Sequence, residues 1–156
     1  MSLSATLRHV LRLVRDDDLP VFFEHQRDAP ASEIAAVAMR DRASFDGHWA
    51  RARADPVIVL RTIEVDGAVA GNVLSFLLDG RRVVGYWIGR EFWGRGVASA
   101  ALAQFLREVE ERPLHAFVAA HNVGSRRVLE KNAFVMADPQ PEPHPGDIEE
   151  FLLVLG

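Results

Sequence analysis

The residues best suited to chemistry lie in Gly85–Val109, GYWIGREFWGRGVASAALAQFLREV. Gly94 and Gly96 stand where a β-rich run gives way to helical periodicity. A helix start carries unpaired backbone N–H groups and the positive end of the helix dipole, so it suits a phosphate. Glycines there remove side chains that would hold a ligand off the backbone. The turn is not a P-loop, because no Gly-Lys-Ser/Thr follows. It is also a poor dinucleotide fingerprint: the third glycine position is Ser99, and the turn comes after an antiparallel meander rather than in the first βα unit. The plain alternative is that the glycines only end a strand and start a helix. A second stretch, Asn122–Phe134, NVGSRRVLEKNAF, reads as a helix capped by Asn122 with a charged outer face. A strand leads into it from the first helix, so both helix starts fall on one edge of the sheet, where ligands bind in such sheets.

Other elements must position these two starts. Leu7–Val14 reads as the first strand, and Asp16, Asp17 and Asp18 offer caps for a short helix to about His25 with Pro20 in its first turn. Arg27–Ala54 reads as helical and loop-like, with helices near Glu33–Met39 and Phe45–Ala52, and is a candidate substrate wall. Val57–Val65, Val69–Leu78 and Arg81–Ile88 are β-rich and separated by Asp66-Gly67 and Asp79-Gly80, strong hairpin signals that predict an antiparallel meander. Val97, Ala98, Ala101, Leu102, Phe105, Leu106 and Val109 recur at helical spacing, and Pro113 is expected to end that helix. Leu114–Ala120 is the next strand, the Asn122 helix runs to about Asn132, Phe134–Met136 begins another strand, and Ile148–Leu155 closes the chain. Pro139–Pro145, PQPEPHP, reads as a surface loop between the last two strands. The expected fold is α/β (α+β): a mixed, mostly antiparallel sheet of about seven strands flanked by helices, with a βαβ unit around the glycine turn.

The totals narrow the classes. A chain of 156 residues fits one domain over residues 1–156 with a real core. A hydrophobic fraction of 49% and a charged fraction of 26% are those of ordinary soluble proteins. The net charge of −4 disfavours nucleic acid and mildly favours a cationic substrate. With no cysteine, disulfides, thiolate catalysis and cysteine-ligated zinc are excluded, and a reducing, cytoplasmic setting is expected. No apolar run approaches a membrane span, and Arg8 and Arg12 come too early for a signal peptide. No metal site is expected.

Taken together, GYWIGREFWGRGVASAAL and HNVGSRRVLEKNAF resemble the GCN5-related N-acetyltransferases (GNAT), most of all the RimJ/RimL-type branch that acetylates protein N-termini. The match is dense over Val83–Phe134. Trp93, at the first position of the turn pattern, is the main reason for that branch. The resemblance implies acetyl-CoA as co-substrate. Its pyrophosphate would lie on Gly94, Arg95, Gly96, Val97, Ala98 and Ser99, with Arg95 able to add a charge-assisted contact. The strand ending at Ile88 would splay from its neighbour to admit the pantetheine arm. A backbone N–H near Ile88 would hold the thioester carbonyl and stabilise the developing oxyanion. Trp87 belongs to the same wall, although its side chain and that of Tyr86 read equally as core aromatics. Asn122 matches the asparagine that bonds the pantetheine arm. Ser125 matches the branch serine near the sulfur and is the expected donor or general acid for the leaving thiolate, since Leu129 stands where many members carry a tyrosine.

The base is not evident. Many relatives carry a glutamate on the strand before the glycine turn, and Val83 takes that place here. Glu24, His25, His48 and Glu64 are candidates from other elements. An α-amine, with a pKa of about 8, needs less help than a lysine at about 10. The implied activity is direct acetyl transfer to a primary amine in a ternary complex, the acceptor being a protein N-terminus or a small molecule, by a monomer or homodimer. The alternative is an inactive CoA-binding sensor or partner module, motivated by Val83 and Leu129.

Overall fold

A computed structural model describes residues 8–35, 40–142 and 148–156. Seven strands form one sheet: β1 (His9–Arg12), β2 (Val59–Val65), β3 (Ala68–Leu78), β4 (Arg81–Ile88), β5 (Leu114–Ala119), β6 (Val135–Met136) and β7 (Glu150–Leu155), in the order β1-β2-β3-β4-β5-β7-β6. Among the described residues five α-helices flank it: α1 (Asp18–Arg27), α2 (Ala29–Ala35), α3 (Arg42–Ala54), α4 (Val97–Glu108) and α5 (Val123–Lys131). β1 to β4 pair antiparallel in succession, and β7 pairs antiparallel with both β5 and β6; β4 and β5 pair parallel, joined by the α4 crossover. The mixed, mostly antiparallel sheet is the one the sequence implies.

Both Asp-Gly turns adopt the expected left-handed conformation, with φ of 50° and 83° at Asp66 and Gly67, and 49° and 77° at Asp79 and Gly80. The meander they create holds eight register pairs between β3 and β4, Gly71↔Ile88 through Leu78↔Arg81. By contrast, β4 and β5 share a single pair, Val83↔His115, and separate beyond it. That separation is the splay. Gly89 N–H donates to the Ala70 carbonyl at 2.8 Å, which sets the phase of the β3–β4 ladder. In an antiparallel ladder alternate residues direct both backbone groups to the same neighbour. Gly85 and Trp87 therefore face β3, while Tyr86 and Ile88 turn their main chain toward the opened gap.

The main core fills the α4–α5 face, where Val84, Val97, Ala101, Leu102, Phe105, Leu114, Val118, Leu129 and Leu153 are buried together. A smaller aromatic core, Phe22, Phe45, Trp49 and Leu60, lies under α1 and α3. Several element boundaries differ from the sequence reading. The first strand is shorter, and Leu7 lies outside the described residues, as do Ala36–Met39 of the expected Glu33–Met39 helix and the end of the Pro-rich loop. The helix α2 begins at Ala29, before the position expected. Asp17 is the N-cap of α1 without a side-chain cap bond, whereas Asp18 enters the helix and is buried. α4 stops at Glu108, well before Pro113, because Val109 leaves helical geometry (φ −106°, ψ 99°) and buries its side chain in the main core.

Candidate functional site

The two helix starts are finished in opposite ways. α4 begins at Gly96, which is left-handed at φ 72° and ψ 13° and provides no side-chain cap. Gly94 is also left-handed, at φ 77°. Ala100 N–H bonds the Gly96 carbonyl at 3.1 Å, so the N–H groups of Val97, Ala98 and Ser99 are those the helix itself leaves unpaired. A Cβ built on Gly94, Gly96 or Gly124 would meet no atom within 4 Å, so the space over the turn is open. Arg95 is exposed and lies over the Phe92 ring at 5.7 Å. Here the backbone is a cradle of donors with room in front of it, as an anionic pyrophosphate requires.

α5 begins with a cap. Asn122 Oδ1 accepts from Ser125 N–H at 3.2 Å. That contact uses the oxygen and leaves the Asn122 NH₂ group as a donor. At the other end of α5, the Asn132 amide donates to the Val128 carbonyl at 3.0 Å and the Ser99 carbonyl at 3.3 Å, tying α5 to the first turn of α4. The two starts are thus held in one rigid frame on the edge where β4 and β5 diverge.

Between them the chain's single tyrosine closes the gap. Tyr86 Oη lies 2.7 Å from Ser125 Oγ and donates to the Ser125 carbonyl at 3.1 Å. Burial pushes the Tyr86 phenol up to about 12, against the opposing hydrogen bond from Ser125. Tyr86 is a site residue that the sequence does not single out: there it belongs to the strand that would splay, and its side chain reads equally as a core aromatic. The vacancy at Leu129 was a signal, since Leu129 is buried in the core and the hydroxyl arrives from the facing strand. Ile88 has its side chain in the core and its carbonyl bonded by the Trp93 indole N–H at 2.9 Å.

Trp87 points to the other side of the sheet. Its indole lines a cavity of about 170 Å³ together with Phe22, Phe45, His48, Trp49 and Asn72. Phe22 and Trp49 stack with centroids 5.0 Å apart, and the His48 ring stands edge-on to Trp49. Asn72 is buried. Trp87 Nε1 is buried without a partner among the described residues. The cavity also reaches Gly85 and Tyr86, so the strand that walls the cleft walls the cavity too.

The four base candidates separate clearly. Glu64 is bound to Arg12 in an ion pair across β1 and β2, within a network that includes the buried Asp18. Burial opposes the charge of Asp18, but hydrogen bonds from Arg12, Arg15 N–H and Thr62 outweigh it and hold its carboxyl at about 2. Glu64 is therefore a structural residue, and the sequence could not show Arg12 opposite it. Glu24 is exposed and pairs with Arg27 at 3.2 Å. His25 is buried against Gly89, where an added Cβ would lie 2.5 Å from its Nε2; burial lowers its pKa, while Glu91 at 3.6 Å works the other way. His48 alone lines the aromatic cavity, and its pKa is lowered first by burial and then by the charges of Arg40 and Arg51. No cluster of metal-binding side chains exists among the described residues, and no described helix is long and apolar enough to cross a membrane.

Comparison with known proteins gives the same outline. Residues 8–135 match the family model described as an acetyltransferase (GNAT) domain. None of the curated protein sequences compared with the chain matches it. Among solved structures, an acetyltransferase (GNAT family) from Bacillus anthracis superposes with a TM-score of 0.78 at 15% identity, over 95% of this chain and 94% of that one. Spermidine N-acetyltransferase from Vibrio cholerae, in complex with CoA and spermine, gives 0.77 at 13% identity, over 94% and 92%. Mycobacterium smegmatis RimJ, in complex with CoA-disulfide, gives 0.72 at 23% identity, over 96% and 84%.

Proposed function

The chain belongs to the GNAT acetyltransferase family, and we propose that it moves the acetyl group of acetyl-CoA to a primary amine by direct transfer in a ternary complex. The observation that carries this reading is the uncapped, open start of α4 beside the gap between β4 and β5, with the Tyr86–Ser125 hydroxyl pair on the gap's wall.

The residues fit the co-substrate. Gly94, Arg95, Gly96, Val97, Ala98 and Ser99 would take the pyrophosphate on backbone N–H groups, with the glycines keeping the approach clear. The main chain of Ile88 and the Asn122 NH₂ would hold the amide-rich arm. Acetyl-CoA supplies an acyl carbon activated as a thioester, so the C–N bond to the amine forms as the C–S bond breaks and the thiol leaves. The chain's own groups manage the protons. Tyr86 stays protonated across the physiological range because of its raised pKa, and it donates toward Ser125. With that proton on the Ser125 carbonyl, the Ser125 hydroxyl donates to Tyr86 Oη at 2.7 Å, and its proton would turn from there to the leaving sulfur. The amine must lose a proton, and His48 is neutral near pH 7 and able to accept it, directly or through water. Trp87 would serve the acceptor side rather than the co-substrate. With no cysteine in the chain, a cysteine-linked acetyl-enzyme is not an alternative.

Trp93 and the likeness to RimJ support an acceptor of the N-terminal α-amine kind, and the cavity supports a small amine equally. Isothermal titration calorimetry with acetyl-CoA, followed by thiol release over a panel of peptides and small amines, tests the proposal. Binding with amine-dependent release is expected. No binding at millimolar acetyl-CoA overturns it, and binding without release for any amine favours the inactive CoA-binding module.

A further inference from the structure

On the α1–α3 face of β4, the cavity under Trp49 and Trp87 has a chemistry of its own. Its volume of about 170 Å³ is close to that of a cavity that takes up one benzene ring, about 150 Å³. Its walls are mostly apolar and aromatic: Phe22, Phe45, Trp49 and Trp87 among them. Phe22 and Phe45 pack on Trp49, with ring centroids 5.0 Å and 6.1 Å away, so that side of the cavity is a wall of mutually supported rings. The polar groups are few. Asn72, buried at 6% exposure, lines the cavity. His48 and Gln26 add neutral groups, and Gln26 is already engaged with the Arg40 carbonyl at 3.1 Å.

The charges decide the occupant. Among the described lining residues there is no carboxylate, and the only formal charge belongs to Arg40, which makes no ion pair with a described residue. A polyamine or aminoglycoside carries several ammonium groups, each costly to bury without a carboxylate to meet it. A single amine on an aromatic body leaves the slot filled by carbon, and an acidic substituent would meet the guanidinium at the rim.

We propose that the acceptor is a small mono-amine with an aryl body and one acidic substituent, the ring seated between Trp49 and Trp87 and the acid facing Arg40. This inference rests on the acetyl-transfer reading above and names the substrate class of its acceptor side.

The test compares initial rates of thiol release with 4-(2-aminoethyl)benzoate, phenethylamine and spermine, beside calorimetry with acetyl-CoA. The expected order of kcat/KM is the benzoate first, phenethylamine about tenfold lower and spermine at least about a hundredfold lower. Arg40→Glu is expected to reduce the ratio of benzoate to phenethylamine by tenfold or more, and Arg40→Gln to reduce it by less. Arg40 is exposed, so neither variant should disturb the fold; a thermal melt checks this. Spermine as good as or better than the aryl amines overturns the inference, as does an unchanged ratio in the folded Arg40→Glu variant. Release with neither aryl amine while acetyl-CoA still binds overturns the inference alone. Loss of acetyl-CoA binding in the native protein overturns the reading beneath it.

Discussion

On the α4 side of β4, the groups offered to a ligand are mostly main-chain: the N–H groups after Gly96 and the backbone of Ile88, joined by the Tyr86 and Ser125 hydroxyls and the Asn122 NH₂. On the α1–α3 side they are side chains brought by α1, α3, β2, β3 and β4. The first kind of site depends on conformation. Left-handed φ at Gly94 and Gly96 and the absence of a cap at α4 create it, and little of it titrates. The second kind depends on residue identity, and it contains a histidine whose charge state is tuned by burial and two arginines. One strand thus separates a site suited to a constant co-substrate from one free to vary with the acceptor.

The sharpest way to break this division is Gly96→Trp. A Trp there pays the strain of positive φ, about 1–2 kcal/mol, and fills the open space over the turn. CoA affinity should fall at least about a hundredfold, or about 2.7 kcal/mol, with near-normal secondary structure by circular dichroism. Gly96→Ala, which adds strain and only a methyl, should lose far less. Equal affinities in the native protein and Gly96→Trp would remove the turn from the site. Next in size is the hydroxyl pair. Ser125→Ala should lower kcat by about ten- to a hundredfold, at the low end of general acid–base effects, while CoA affinity changes little. Tyr86→Phe should reproduce part of that loss if Tyr86 acts by positioning the Ser125 hydroxyl. A Tyr86→Phe variant with full kcat would make Tyr86 a packing residue only.

His48→Gln probes the other face and should be smaller, about tenfold in kcat, with CoA affinity unchanged. Its signature is in the pH profile. The His48 pKa lies below the ordinary 6.5, so the native rate should be level from about pH 7 upward and fall only under more acidic conditions. The variant should lose that acidic limb. A native profile that still climbs steeply between pH 7 and 8 would point to the ammonium of the acceptor, not His48, as the titrating group.

The difference between the faces also explains what could be read in the sequence. Gly94, Gly96, Asn122 and the two Asp-Gly turns announce themselves locally, since positive φ and capping act within a few residues, and all adopt the conformations their types favour. The α4 stripe and the order of elements along the chain follow from periodicity and turn signals, whereas the place of β7 between β5 and β6 does not. The cavity was not legible, because Phe22, Trp49, Asn72 and Trp87 meet only through tertiary packing. The same limit made Glu64 look available. Its partner Arg12 is 52 residues away in the chain and joins it only through the β1–β2 pairing. Pro113 misled as a helix stop because Val109 is drawn into the core first. Tyr86 was visible, but its distance from Ser125 was not.

The smallest expected effect concerns His25, which touches the end of the strand that both faces share. Its ring packs on Gly89, the residue after Ile88, and the charged groups around it are Glu91, Glu24, Asp28 and Arg90. Its pKa is lower in the folded chain than the ordinary 6.5, so the unfolded chain binds the extra proton first. Stability should therefore be unaffected by His25 well above pH 6.5, decline as the pH falls through 6.5 toward the lowered folded value, and level off below it. His48 has the same sign and adds to the slope. Urea titrations at pH 8 and pH 5.5 can separate them: His25→Gln should cost some packing at both values yet show a smaller difference between them than the native chain. If the variant retains the full native difference, the Glu91 contact already compensates the buried charge, and the end of β4 is indifferent to protonation. If the difference shrinks, acid should also raise the KM for the co-substrate, because Gly89 leads directly through Trp93 into the turn that holds it.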